Sequence, residues 1–367
     1  VAGTRTGKQL ESYMGYRFCG SAVFRSIAAA TSLAAIASGF AAPVRAQDAA
    51  QFYAGKTITF IVGYGAGASY DSGARLIGRY LGKYIPGKPN IVVQNMPGAG
   101  SMVAANQLYN ASAKDGTVIG MFGRGLYLEA LFGNPAVKFD PVKFNWIGSH
   151  GREVSFLVTG KDTGFTTVAD IRDREIILGA SGPGADTHSF ALVLRTLLGA
   201  KVKIVSGFPG QADAFLALDR GEVHGNAGAT IGTVMALRPQ WLKEKGLANF
   251  VVQLATERHP TLLQGVPLIM DFAKDDIDRG AMELAFARQG MAYKFAAPPG
   301  VQADRVEALR AGFRGAVKDA EFLADALRIN ADVGAMEGEA ITKLIAAAYN
   351  MKPEVLARAK AALTARE

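Results

Sequence analysis

Thr57-Ile-Thr-Phe-Ile-Val-Gly-Tyr-Gly-Ala-Gly-Ala-Ser-Tyr-Asp-Ser-Gly-Ala-Arg-Leu-Ile-Gly-Arg79 is the stretch that decides the fold. Thr57 to Val62 is a short β-branched and aromatic run, the composition of a strand with little exposed polar surface. Gly63, Gly65 and Gly67 break it, and Ser69 or Asp71 is placed to cap the helix that follows, with Ala74, Ile77, Gly78 and Leu81 on one face. Strand, glycine loop and helix start together make an anion site. Unpaired N–H groups point outward there, and the helix dipole favours a carboxylate or phosphate. Glycine lets the backbone approach such a ligand where a Cβ would obstruct it.

A dinucleotide-binding fold would require GxGxxG and an acidic residue about twenty positions later for the ribose. Here the third glycine comes one residue early, and no Asp or Glu occurs from Ser72 to Lys114. No GxxxxGK[ST] phosphate loop occurs either. The remaining alternative at this loop is a glycine-rich βα turn without a ligand.

Residues 1–46 read as an export signal rather than as part of the fold. Basic residues Arg17 and Arg25 precede the apolar run Ile27 to Ala42, and Val44-Arg45-Ala46 offers a small-residue cleavage site near Ala46. The run is short and Ala-rich for a membrane span, and Met14 is a candidate start. Cys19, the only cysteine, lies before the run, so the exported chain has no disulfide or thiolate chemistry. The signal carries half of the net charge of +8. The mildly basic remainder suits an anionic small molecule and does not argue for nucleic acid. Roughly 320 residues remain, enough for two α/β domains.

Farther along, Ile91 to Gln94 predicts a second strand, Pro97-Gly-Ala-Gly-Ser101 a second glycine loop, and Met102 to Tyr109 a helix. Thr117 to Phe122 predicts a third strand, ending at Gly123-Arg124-Gly125. This alternation points to a parallel or mixed sheet covered on both faces, with ligands at the carboxyl ends of its strands. Arg124 at such an end is either a ligand cation or a solvated loop charge. The chain then crosses into a second domain near His150, Gly151 and Arg152. There, Ile176 to Leu178 leads into the third glycine loop, Gly179 to His188, and the helix Ser189 to Leu198. The helix Gln211 to Asp219 and a brief strand within Gly221 to Ala227 follow, the strand end presenting Asn226. Gly290 to Ala296 returns to the first domain, and Ala303–Ala316, Ala320–Ile329 and Glu337–Arg366 read as helices. The expected division is 47–150 and 286–367 for the first domain and 151–285 for the second.

The segments KTITFIVGYGAGASYDSGAR, IVVQNMPGAGSMVAAN, KDGTVIG and LGASGPGADTHSFALVL, with the later FAAPPGV, resemble the Bug family, the TctC-like periplasmic receptors of tripartite tricarboxylate transporters. The resemblance covers nearly the whole exported chain. It implies an α/β fold of type II (Venus-flytrap) architecture, two domains with mixed sheets covered by helices, closing on a small carboxylate. It also implies a periplasmic location, a monomer, a membrane permease as partner, no cofactor, and a grip made by backbone N–H groups of two facing loops. Matched residue by residue, the first loop supplies Tyr64, Gly65, Gly67, Ala68, Ser69 and Asp71. The second supplies Ser181, Gly184, Ala185, Thr187 and His188, and Asn226 follows the later strand. Tyr64 and Tyr70 add two rings that would either stack on an aromatic acid or cover the cleft mouth. Asp71 is expected to hold the first loop as a structural cap.

An enzyme finds less support. The four histidines have no HxxxH or HExxH spacing for a metal, and Ser181 lies in Gly179-Ala-Ser-Gly-Pro183, which fails the GxSxG elbow at its last glycine. A secreted hydrolase using Ser181 is the rival from another class, and a ligand sensor for a signalling partner shares the same cleft.

Overall fold

The computed structural model describes residues 44–66, 69–181, 185–208, 210–244, 246–259, 263–329, 331 and 333–364. The β-branched run forms β1 (Thr57–Val62), with Ile58, Phe60 and Val62 fully buried. It lies between β2 (Asn90–Asn95) and β3 (Val118–Met121), parallel to both. Parallel neighbours need long crossovers, and the helices Ser69–Tyr84 and Met102–Asn110 supply them. β10 (Lys294–Ala297) joins β3 antiparallel, β4 (Asn145–Gly151) lies antiparallel to β10 and so runs with the first three strands, and β11 (Val333–Glu337) ends the sheet antiparallel to β4. The order is β11-β4-β10-β3-β1-β2.

The second sheet contains β5 (Ser155–Gly160), β6 (Ile176–Ala180), β7 (Val202–Ser206), β8 (Gly225–Thr230) and β9 (Ala248–Leu254). Its order is β7-β6-β8-β5-β9, with β6 parallel to β7 and β8, and β5 antiparallel to β8 and β9. Both sheets are mixed, as the alternation of strands and helices predicts.

The chain passes between the sheets at 152–154 and returns at 287–293. These two passages are tied to each other: Glu153 N donates to Gln289 O at 3.0 Å, Ala292 N to Gly151 O at 3.2 Å, and Ser155 Oγ to Gln289 Oε1 at 3.0 Å. A later tie comes from the last helix, Pro353–Leu363, where Arg358 Nε donates to Asp278 Oδ1 at 2.7 Å and Nη2 to Thr196 O at 3.3 Å.

Three boundaries differ from expectation, each for a local reason. The helix after the third glycine loop starts at Asp186, not Ser189, because Ala185 O accepts from both His188 N and Ser189 N. β8 starts at Gly225, where pairing with β5 begins, so the Gly221–His224 segment precedes it. The stretch read as helical from Glu337 follows the half-exposed edge strand β11, which has no alternating apolar pattern. The expected export signal lies outside the described residues except for Val44 to Ala46, which begin the helix Val44–Tyr53. No described helix is long and apolar enough to cross a membrane.

Two outcomes follow from this packing. A Cβ on Gly338 would stand 1.9 Å from Trp146 O, where the helix Gly338–Tyr349 meets β4. Gly338→Ala should therefore lower the unfolding free energy by about 1–3 kcal/mol in urea denaturation; an unchanged midpoint would mean the helix does not dock there. Asp319 accepts from Lys83 Nζ and Tyr84 Oη, both at 2.8 Å, and caps the helix Ala320–Arg328. These side-chain bonds hold its carboxyl down at about 2, from an ordinary 3.8. A depressed carboxylate stabilises the fold above its unfolded value, and that contribution is lost as pH falls toward 2. Stability measured by unfolding between pH 4 and 2 should fall on acidification, and less steeply in Asp319→Asn; equal slopes would contradict the assignment.

Candidate functional site

The loops after β1, β2 and β3 meet on one buried hydroxyl. Ser101 Oγ accepts from Gly123 N at 3.0 Å and is hydrogen-bonded to the Tyr64 hydroxyl. Reaching that position takes a left-handed run: Gly98 at φ 150°, Ala99 at 44°, Gly100 at 62° and Ser101 at 80°. For Ala99 and Ser101 such a conformation costs on the order of 1–3 kcal/mol each and persists only where the surroundings enforce it. Gly63 is part of that enforcement, since a Cβ there would lie 2.5 Å from Ser101 Cβ. Asp71, buried in the first turn of Ser69–Tyr84, accepts from Arg75 Nε at 3.0 Å and Asn95 Nδ2 at 2.9 Å. Asn95 Nδ2 also donates to Tyr64 O at 2.9 Å, so Asp71 braces the first loop against the end of β2.

The two tyrosines stack on each other, with ring centroids 4.4 Å apart, and Tyr70 meets Tyr293 edge-on at 5.5 Å. The Tyr70 hydroxyl accepts from Arg124 N at 3.1 Å. Arg124 is not a solvated loop charge. It is 8% exposed, donates from Nε to Asp186 Oδ2 at 2.5 Å, and pairs through Nη1 with Glu153. Arg288, buried over the Phe190 ring, approaches Asp186 Oδ1 at 3.3 Å. Burial alone would raise the Asp186 carboxyl; the Arg124 and Arg288 guanidiniums overcome that and hold it below the usual carboxylate range. Lys294 is also buried, its Nζ donating to Arg124 O at 2.9 Å. Burial, and then Arg124 and Arg288, push its ammonium well below the ordinary lysine value.

On the second sheet, Thr187 Oγ1 accepts from Ser181 N at 3.1 Å, which folds the loop after β6 onto the start of the helix Asp186–Thr196. Gly228, at φ 92°, brings β8 against that start: a Cβ would stand 3.2 Å from Thr187 N. Asn226 is fully buried, donating to Gly179 O at 2.8 Å and accepting from Gln211 Nε2 at 3.2 Å. Gln211 Nε2 donates also to Gly228 O at 3.0 Å.

These loops enclose a cavity of about 470 Å³. Of the expected site residues, Tyr64, Ser69, Tyr70 and Arg124 line it from the first sheet, and Ser181, Ala185 and Thr187 from the second. Gly65, Asp71, His188 and Asn226 do not line it; Asp71 and Asn226 act one step behind, bracing the loops. Gly67, Ala68 and Gly184 lie outside the described residues. Ala99, Gly100, Asp186, Gln211 and Gly228, which are not among the expected site residues, also line the cavity. The glycine of the second loop was the one available signal for Ala99 and Gly100. Asp186 carried none, standing between two matched residues. Among the described residues no group of three or more His, Cys, Asp and Glu side chains is placed to hold a metal.

Neither a protein-family model nor a curated protein matches the sequence. Solved structures do. A TctC solute-binding protein from Polaromonas aligns over 84% of this chain and 98% of its own, at 20% identity and a TM-score of 0.61. MatC from Rhodopseudomonas palustris, with bound malate, aligns over 84% and 99%, at 20% identity and a TM-score of 0.60. A second R. palustris protein, with adipate, aligns over 83% and 97%, at 19% identity and a TM-score of 0.62. The chain therefore has the two-domain, type II binding-protein fold of the TctC-like proteins.

Proposed function

We propose that this protein is an exported solute-binding receptor that captures a small carboxylate between its two lobes. One observation carries the reading: a single cavity is lined from both sheets, at the carboxyl ends of β1, β3 and β6 and at the starts of two helices. Helix starts and glycine loops offer N–H groups to an anion. The malate and adipate in two structures of the same fold are carboxylates of a size such a cleft accommodates. The lobes would be 47–150 with 286–352, and 151–285 with the last helix, which Arg358 ties to Asp278 and Thr196, moving about the passages between the sheets. Delivery would be to the membrane permease of a tripartite tricarboxylate transporter, in the periplasm, by a monomer.

Thermal unfolding of the purified chain against mono-, di- and tricarboxylates, aliphatic and aromatic, tests this reading. A ligand at a hundredfold over its Kd should add roughly 2.7 kcal/mol, visible as a raised midpoint that the matching ester does not produce. A panel in which no acid raises the midpoint would contradict it.

A further inference from the structure

The charges around the cleft limit what it can hold. Arg124 is the only Arg or Lys among the described residues lining the cavity, whereas Asp186 and Glu129 both line it. Arg124 is already shared between Asp186 and Glu153. Glu129 accepts from Asn134 Nδ2 at 2.8 Å through one oxygen only. Behind the wall, Arg288 backs Asp186 and Lys294 is turned to the carbonyls of Gly123 and Arg124. Two arginines thus meet two carboxylates, Asp186 and Glu153, while Lys294 is held by carbonyls, so none of the three cations is left free for a ligand.

We propose that Asp186 sets the charge of the ligand: its carboxylate holds the place on Arg124 that a second ligand carboxylate would take, so the cleft prefers monocarboxylates to dicarboxylates. The proposal rests on the carboxylate-receptor reading and narrows it. One carboxylate can lie on backbone N–H groups of the loops. A second has two options, both unfavourable. It can lie beside Asp186 and Glu129, where like charges repel at short range in a poorly solvated site. Or it can displace Asp186, leaving that buried carboxylate with Arg288 alone. Arg288 Nη2 makes no hydrogen bond in its present orientation, so the displaced acid would be poorly compensated.

Titration calorimetry of the full chain with skeleton-matched pairs, hexanoate against adipate and benzoate against terephthalate, tests the idea. The expected result is a monocarboxylate preference of at least about tenfold in the wild type, with Asp186→Asn narrowing or reversing it by a similar factor. A wild type that binds the dicarboxylate more tightly overturns this proposal and leaves the receptor reading standing. So does an Asp186→Asn variant, folded by circular dichroism, whose preference is unchanged. If that variant does not fold, the wild-type preference decides alone. Binding of neither acid in any pair overturns this proposal, and the receptor reading falls with it only if no acid of the wider panel raises the unfolding midpoint.

Discussion

Arg124 is the constraint on which the rest of the arrangement depends. A buried guanidinium is tolerated only when its charge and donors are met. Meeting them ties together the end of β3, the passage to the second sheet through Glu153, and the helix start at Asp186. Its main chain is held as well, the N–H by Tyr70 and the carbonyl by Lys294. One residue thereby fixes the back wall of the cleft and connects its two sides. Removing either acid would leave a buried charge under-compensated, so the cluster holds the two sides of the cleft together.

The left-handed run at 98–101 complements that cluster from the other side. Strain there is not a defect to be relaxed, because Ser101 is where three loops converge and its hydroxyl serves Gly123 and Tyr64 at once. With Tyr64 fixed by Ser101, and Tyr70 by Arg124, the stacked rings form a stiff wall rather than a pair of mobile aromatic clamps. Asp71 and Asn95 hold the first loop from below. Walls held in this way would need little ordering to receive a ligand.

Local pattern made the frame legible. The β-branched run of β1, the glycine breaks and the helix Gln211–Asp219 are all recorded within a few adjacent residues, and the last was read to its terminal residues. The loops that line the cavity were legible for the same reason, since each is a glycine cluster after a strand. What was not legible is long-range. Arg124 meets partners 29 and 62 positions away, and no spacing rule announces such a meeting. Asn226 was read as a residue presented at a strand end, but the side chain points into the packing between β8 and β6, a matter of which face of the strand carries it. The edge strand β11 was missed because half-exposed edges lose the alternation by which strands are read.

In the proposed complex a carboxylate lies between the two lobes on main-chain donors while Arg124 stays with Asp186. A crystal structure of the protein with its tightest-binding acid tests it most directly. Carboxylate oxygens should lie within hydrogen-bond distance of backbone N–H groups in the loops after β1 and β6, with the Arg124–Asp186 pair intact. An acid bound elsewhere on the surface, or one gripped by Arg124 with Asp186 turned away, would contradict it.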